Sequence, residues 1–339
     1  MLDDGCGDTP FFKEAIGNVT EKKEDYKNIY IQSLKIVSKL MLDYTNEMPV
    51  SHYTKTAIAE RMLVGDFKEV TARSALRISS LNTSNDSSEG KILYQYLFDN
   101  QKEDKQIEDY GAFAGCFAFN NDSLNQFRLY GKTDDKEATG VSIAVNEKIF
   151  SKSITTPLQM QSDTGNKPDK EKKSPELLPL FRYIYIDPET NSVVSLGQKE
   201  KYVFLKEGKS ANTYKKCKEK IDNTQKEISQ ELETLKEMAR DLNKDIVHKL
   251  LLNLRYLIKH VAFKEEQECR IIKVAKLTGS TIKPSENNSL YIDYSEFKPD
   301  NVEKICFGRK AKEIDRFKQH LARNRYSQTE CYQSKAPLI

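Results

Sequence analysis

The sequence predicts an α+β domain built on a split mixed or antiparallel sheet, with flanking helices and one long protruding helix. Three observations predict it. Short apolar runs alternate with helical patterns in the first half, as at Val50–Thr54, Ala112–Phe119 and Gly140–Val145. Strand-like runs joined by turn residues follow at Phe181–Asp187, Ser192–Leu196 and Lys201–Leu205, which reads as a meander. From Ser210 to Lys259 there is neither Gly nor Pro, and Ile221, Ile228, Leu232, Leu235, Leu242, Ile246 and Leu250 keep a near-heptad stripe in a Glu- and Lys-rich background.

Taken in order, residues 1–48 form a helical lead-in, because Ile29 to Leu42 repeat at helical spacing before Pro49. Val50–Thr54 is extended, and Ala57, Ile58, Met62 and Leu63 then form one helical face that stops at Gly65. Leu76–Ser79 reads as a strand and Ile92–Leu97 as a helix. Residues 151–176 are rich in Lys, Asp, Ser, Thr and Pro with scarcely any aliphatic periodicity, which predicts a disordered insertion. The stretch 210–260 is expected to be one long helix, either lying along the domain or acting as a coil that contacts a partner. Strands at Arg270–Val274, Leu290–Tyr294 and Val302–Phe307 and a polar helix at Ala311–Asn324 complete a single domain over 49–324. Residues 325–339 read as a flexible tail.

Composition sets the class. Hydrophobic residues make up only 38% and charged residues 31%, with a mean hydropathy of −0.68, so much of the polarity must sit in solvated helices and loops outside the core. The 54 basic and 51 acidic residues leave a net charge of +3. That balance supplies no chain-wide field for nucleic acid or an anionic membrane and leaves room only for a local patch. The opening Met1-Leu2-Asp3-Asp4-Gly5-Cys6 lacks the order of a secretory signal, and no apolar run is long enough to span a bilayer, which predicts a cytoplasmic protein with no membrane association. Six scattered cysteines and four histidines without a second ligand at helical spacing argue against a disulfide framework and a metal centre.

Chemistry concentrates in a few segments. Phe263-Lys264-Glu265-Glu266-Gln267-Glu268-Cys269-Arg270 runs into the apolar Ile271–Val274. In a strand, Glu266, Glu268 and Arg270 would share one face. Such a row is either an active-site carboxylate, Glu268, with Glu266 as a second acid, or an edge strand protected by charge. His52-Tyr53-Thr54 offers an imidazole, a phenol and a hydroxyl able to hold a ribose diol, or a helix cap beside an ordinary histidine. Asn85-Asp86-Ser87-Ser88-Glu89 positions a ligand or forms a plain capping box between Asp86 and Glu89. Phe127 and Tyr130, three apart on a short helix, stack on a planar ring or pack the helix on the sheet. No glycine-rich phosphate loop, zinc-protease helix or nucleophile elbow occurs.

Together these segments resemble a bacterial family catalogued as domain of unknown function 2971. Its pattern runs His-Tyr-Thr, Asn-Asp-x-x-Glu, Cys-Phe-Ser with a downstream Trp-x-x-Tyr and a Gly before a strand, then Phe-x-x-Glu-x-Glu-x-Arg. Here the matches are His52-Tyr53-Thr54, Asn85 to Glu89, Cys116-Phe117, Tyr130-Gly131, Gly140-Val141 and Phe263 to Arg270, spread from about Val50 to Leu321. Ala118 stands where the family favours Ser, and Phe127 where it favours Trp.

The family in turn looks like a remote relative of ADP-ribosyltransferases of the His-Tyr-Glu kind. That resemblance implies an ADP-ribosyltransferase-like sheet, NAD as substrate, and His52, Tyr53 and Thr54 at the ribose. It also implies Phe127 and Tyr130 as the nicotinamide stack, Glu268 as the catalytic acid, and Glu266 as the acid that helps activate an acceptor. Cleaving the nicotinamide bond passes through an oxocarbenium-like state, which a carboxylate near the ribose stabilises. The expected function is NAD-dependent ADP-ribosyl transfer, or NAD hydrolysis, on an unidentified protein or nucleic-acid acceptor. The alternatives are a non-catalytic binding or sensor module that recruits a protein through the 210–260 helix, which Ala118 and Phe127 favour, and a metal-dependent nuclease using Asp86 and Glu268. Arg270 argues against the nuclease, since it stands where such sites need a lysine.

Overall fold

The computed structural model describes residues 9–65, 73–81, 88–99, 109–132, 136–153, 177–285 and 289–336. In chain order the elements are α1 (Pro10–Ile16), α2 (Lys23–Lys39), α3 (Tyr44–Glu47), β1 (Val50–Thr54), α4 (Thr56–Leu63), β2 (Arg77–Ser80), α5 (Ile92–Leu97), β3 (Tyr110–Ala118), α6 (Leu124–Tyr130), β4 (Val141–Val145), β5 (Leu180–Arg182), β6 (Ile184–Asp187) and β7 (Ser192–Leu196). They continue as α7 (Lys201–Lys206), α8 (Ala211–Ala239), α9 (Lys244–Leu250), α10 (Leu252–Arg255), β8 (Ile258–His260), β9 (Glu268–Lys276), β10 (Lys283–Pro284), β11 (Leu290–Asp293), β12 (Val302–Phe307), α11 (Ile314–Arg323) and β13 (Glu330–Gln333).

The chain is an α+β fold on a mixed sheet with order β10-β11-β2-β3-β1-β4-β12-β13, in which β9 also pairs with β3 and β5. A strand has only two edges. β9 occupies one edge of β3 over its whole length, from Tyr110↔Lys276 to Ala118↔Glu268. Both β1 and β2 must therefore share the other edge, β2 at Phe113 and Ala114 and β1 at Ala118. Gly115, Cys116 and Phe117 face the gap between them, so the sheet forks there. A second, three-stranded sheet has the order β7-β6-β8.

Strand periodicity then assigns the faces. Cys269 and Ile271 point into a core with Phe117, Ile143 and Val50, which α4 and α11 cover through Ala59, Met62, Leu63, Phe317 and Leu321. On the opposite face Ile272 and Val274 join the core beneath α1, α2, α5 and α8. α6 covers the remaining part of that face, where Phe127 packs on Tyr53, Ala118 and Cys306.

Several expectations change. Lys201–Leu205 is a helix, not a strand: Val203 and Phe204 are buried side by side with exposed neighbours on both sides, a helical rather than an alternating pattern. The 210–260 helix stops at Ala239, because Asn243 caps a new helix by accepting from the amides of Asp245 and Ile246, and the chain then enters β8. The long helix does not protrude along its apolar stripe. Ile228, Leu232 and Leu235 are wholly buried in the core that also holds α2 and α5, so the stripe is satisfied inside the domain. The segment read as a tail contributes β13, parallel to β12, because Cys331 and Tyr332 pack on that sheet edge. The expected insertion lies, from residue 154, outside the described residues, as do Asn85, Asp86 and Ser87. Among the described residues no helix is long and apolar enough to cross a membrane.

Candidate functional site

β9 begins where the backbone leaves a 3-10 turn through Gln267 in the left-handed region, at φ 48°. Glu268 and Arg270 then share one face by pleat, while Glu266 reaches the same place from the turn. Lys259, on β8, bridges the two acids, donating to Glu266 Oε2 at 2.8 Å and Glu268 Oε2 at 2.6 Å. Lys259 is 4% exposed and Glu268 1%. Burial alone would lower the ammonium's pKa, but the two carboxylates outweigh it and hold Lys259 well above its ordinary value. Burial, with the like charge of Glu266, raises the Glu268 carboxyl despite Lys259.

The second oxygen of Glu268 is also engaged: Tyr130 Oη donates to Oε1 at 3.2 Å. Arg270 pairs with the buried Glu89, donates to Tyr256 O at 3.3 Å, and lies against Cys116 Sγ at 3.5 Å. Burial pushes that thiol up to about 12. Lys259 and Arg270 both lie over the Tyr183 ring, at 4.8 and 4.6 Å. This is a closed ionic cluster in which each charged group meets a counter-charge, while Arg270 Nε and Tyr183 Oη are buried without a hydrogen-bond partner among the described residues.

Beside it, the fork between β1 and β2 opens into a cleft of about 380 Å³, within the range of small-molecule sites. His52, Tyr130, Ser79, Arg61, Arg77 and Lys55 are among its lining residues, and among the described residues no carboxylate lines it. His52 Nδ1 lies 3.0 Å from the carbonyl of Cys116, which the fork leaves without a strand partner. A carbonyl only accepts, so Nδ1 carries the proton. Burial lowers the ring's pKa and keeps it neutral, which leaves Nε2 an acceptor. Arg77 stacks on Tyr291 at 4.3 Å and reaches Asp293 at 4.0 Å; Arg61 and Lys55 form no ion pair among the described residues.

The predicted residues thus separate. His52, Tyr53, Thr54 and Tyr130 border the cleft, while Glu268 does not line it and is hydrogen-bonded to Tyr130. Tyr53 spends its hydroxyl on structure, donating to Asn120 O at 2.6 Å and accepting from Ser123 N at 2.9 Å, at the start of α6. Phe127 is 1% exposed, edge-on to Tyr53 at 5.0 Å, and faces the core rather than the cleft. Thr54 does not cap α4; Lys55 occupies that position without a side-chain bond. Glu89 is an ion-pair partner of Arg270, and the expected capping box with Asp86 falls outside the described residues. Sequence reasoning missed Lys259, hidden at the end of an apparently helical run, and the basic side chains of the cleft. Among the described residues no group of His, Cys, Asp and Glu could hold a metal ion.

A family model described as "Protein of unknown function (DUF2971)" matches residues 126–271, less than half of the chain. Phe127, Tyr130, Lys259, Glu266, Glu268 and Arg270 fall inside the match, and His52, Glu89 and Cys116 outside it. No curated protein and no solved structure matches the chain. The matched segment therefore holds Lys259, Glu266, Glu268 and Arg270 of the ionic cluster and the helix above it, but not Glu89.

Proposed function

We propose that the chain is a ligand-binding module, related to the ADP-ribosyltransferase-like split-sheet folds, whose fork cleft takes a phosphate-bearing nucleotide, with NAD the foremost candidate. The observation that carries this reading is the lining of the cleft. It combines basic side chains with a neutral His52 acceptor suited to a ribose hydroxyl and a partly exposed Tyr130 ring. Calorimetry with NAD and ADP-ribose tests it. Arg61→Gln and His52→Gln should each weaken binding about tenfold, the worth of one hydrogen bond or a little more. Absence of binding by the folded wild type, or affinities that neither variant changes, would overturn the reading.

A second reading, ADP-ribosyl transfer or NAD hydrolysis on an unidentified protein or nucleic-acid acceptor, is favoured by one contact, the Tyr130–Glu268 hydrogen bond. A ligand that draws the phenol aside would turn Glu268 Oε1 toward the cleft. Nicotinamide release decides between the two. Under the enzymatic reading, Glu268→Gln keeps binding but lowers release by orders of magnitude, roughly 3–4 kcal/mol in the transition state. Glu266→Gln would then impair transfer more than hydrolysis. If wild type binds NAD and releases no nicotinamide, the binding module stands.

A further inference from the structure

The net charge of +3 conceals a strong asymmetry. Residues 304–325 carry eight basic side chains, Lys304, Arg309, Lys310, Lys312, Arg316, Lys318, Arg323 and Arg325, against only two acidic ones, Glu313 and Asp315. The fold places them together at one end of the sheet. α11 turns Phe317 and Leu321 into the core, each 1% exposed, so its charged positions face outward. Arg316, His320 and Arg323 recur at helical spacing on one side of it, beside α4, where Glu60 takes Arg316 at 3.3 Å and His320 at 2.8 Å. The loop before the helix exposes Arg309, Lys310 and Lys312, and beyond it Arg325 is exposed and Arg73 is anchored on Asn324 O at 3.3 Å. Arg309, Lys310, Lys312, Arg323 and Arg325 form no ion pair among the described residues.

We infer that this patch, running from the loop before α11 to Arg323 and Arg325 at its far end, binds the phosphate backbone of a nucleic acid. Lys304 pairs with Glu330 at 3.0 Å and Arg316 also with Glu313 at 2.8 Å, but the five cations without an ion pair among the described residues hold a standing positive potential, which a polyanion relieves by releasing its condensed counterions. A membrane surface fits less well, because peripheral membrane helices bury an exposed apolar face, and here that face is already in the core. Ten residues of helix extend ~15 Å, which at roughly 3.4 Å per phosphate along one strand spans about four phosphates. None of these cations lines the fork cleft, and the inference does not depend on what the cleft binds.

Fluorescence anisotropy of the full chain with a labelled single-stranded oligonucleotide tests it. The expected result is binding that weakens with salt between about 50 and 200 mM, with log K against log salt falling at a slope near −3, or about 0.7 per phosphate. Lys310→Gln with Lys312→Gln, in a loop where neither side chain packs, should reduce the slope by about 1.4 and leave the melting temperature and NAD affinity unchanged. Lys216→Gln with Lys226→Gln, exposed on α8, should leave oligonucleotide binding as in wild type. No binding, salt-independent binding, equal losses from the α8 pair, or binding to phosphatidylserine vesicles in place of the oligonucleotide would each overturn the inference.

Discussion

The ionic cluster beneath α6 and the cleft in the fork both touch Tyr130, yet they treat polar side chains in opposite ways. In the cluster every charged group answers another: Lys259 with Glu266 and Glu268, Arg270 with Glu89. In the cleft, Arg61, Lys55 and His52 Nε2 are left toward the open space. Buried charges must be paired because desolvation is costly, whereas charges that serve a ligand must keep a vacancy. The Glu-x-Glu-x-Arg run, the most eye-catching stretch of the sequence, belongs to the paired region.

The sharpest way to break this comparison is to remove the common cation. Lys259→Met leaves two carboxylates facing each other in a buried site and should destabilise the fold by about 3–5 kcal/mol in urea titrations. Adding Glu268→Gln should recover part of that loss, since the pair is coupled. A cost below about 1 kcal/mol for Lys259→Met would mean that the cluster is solvated and that Glu268 is as available to a ligand as the cleft residues are.

Phe127 offers the next test. As a nicotinamide stack it would contribute to NAD affinity and little to stability; as a core residue packed on Tyr53 and Ala118 it should do the reverse. Phe127→Ala is expected to cost about 3 kcal/mol of stability, read by the same titrations. A variant that keeps its unfolding midpoint but loses NAD binding would move Phe127 from the core into the cleft.

Much of the strand and helix order was legible because it rests on local periodicity. Val50–Thr54, Ile92–Leu97, Val141–Val145 and Val302–Phe307 emerge where apolar spacing places them. What stayed hidden is non-local. Nothing near Lys259 distinguishes it from the solvated lysines of α8, because its role is set by the pairing of β8 with β6 and by the turn that brings Glu266 back. The fork was equally invisible in detail. It follows from β9 running the full length of β3, a pairing between segments more than a hundred residues apart. The helix at Lys201–Lys206 was misread because an adjacent apolar pair fits both periods over so short a run.

The smallest expected effect lies in the cleft itself and concerns His52. Most of its ring packs between Phe117 and Phe297, with centroids at 5.7 and 6.0 Å, and burial lowers its pKa from 6.5. The unfolded chain then takes up a proton near pH 6.5 that the folded chain refuses. The stability His52 supplies is therefore complete above pH 6.5 and is lost as the pH falls toward the lower folded value. His52→Gln retains a neutral donor for the Cys116 carbonyl, so at neutral pH it should change stability by only about 1 kcal/mol. The difference between wild type and variant should shrink on acidification, since only wild type carries the titrating ring; His248, His260 and His320 are common to both and cancel. Urea unfolding between about pH 5 and 7.5 measures this, and nitrogen chemical shifts of the imidazole report the Nδ1-protonated tautomer directly. A ring that titrates at or above 6.5, or a difference that stays constant across the range, would mean that His52 is solvated and charged, and the cleft would lose the acceptor on which its ribose contact rests.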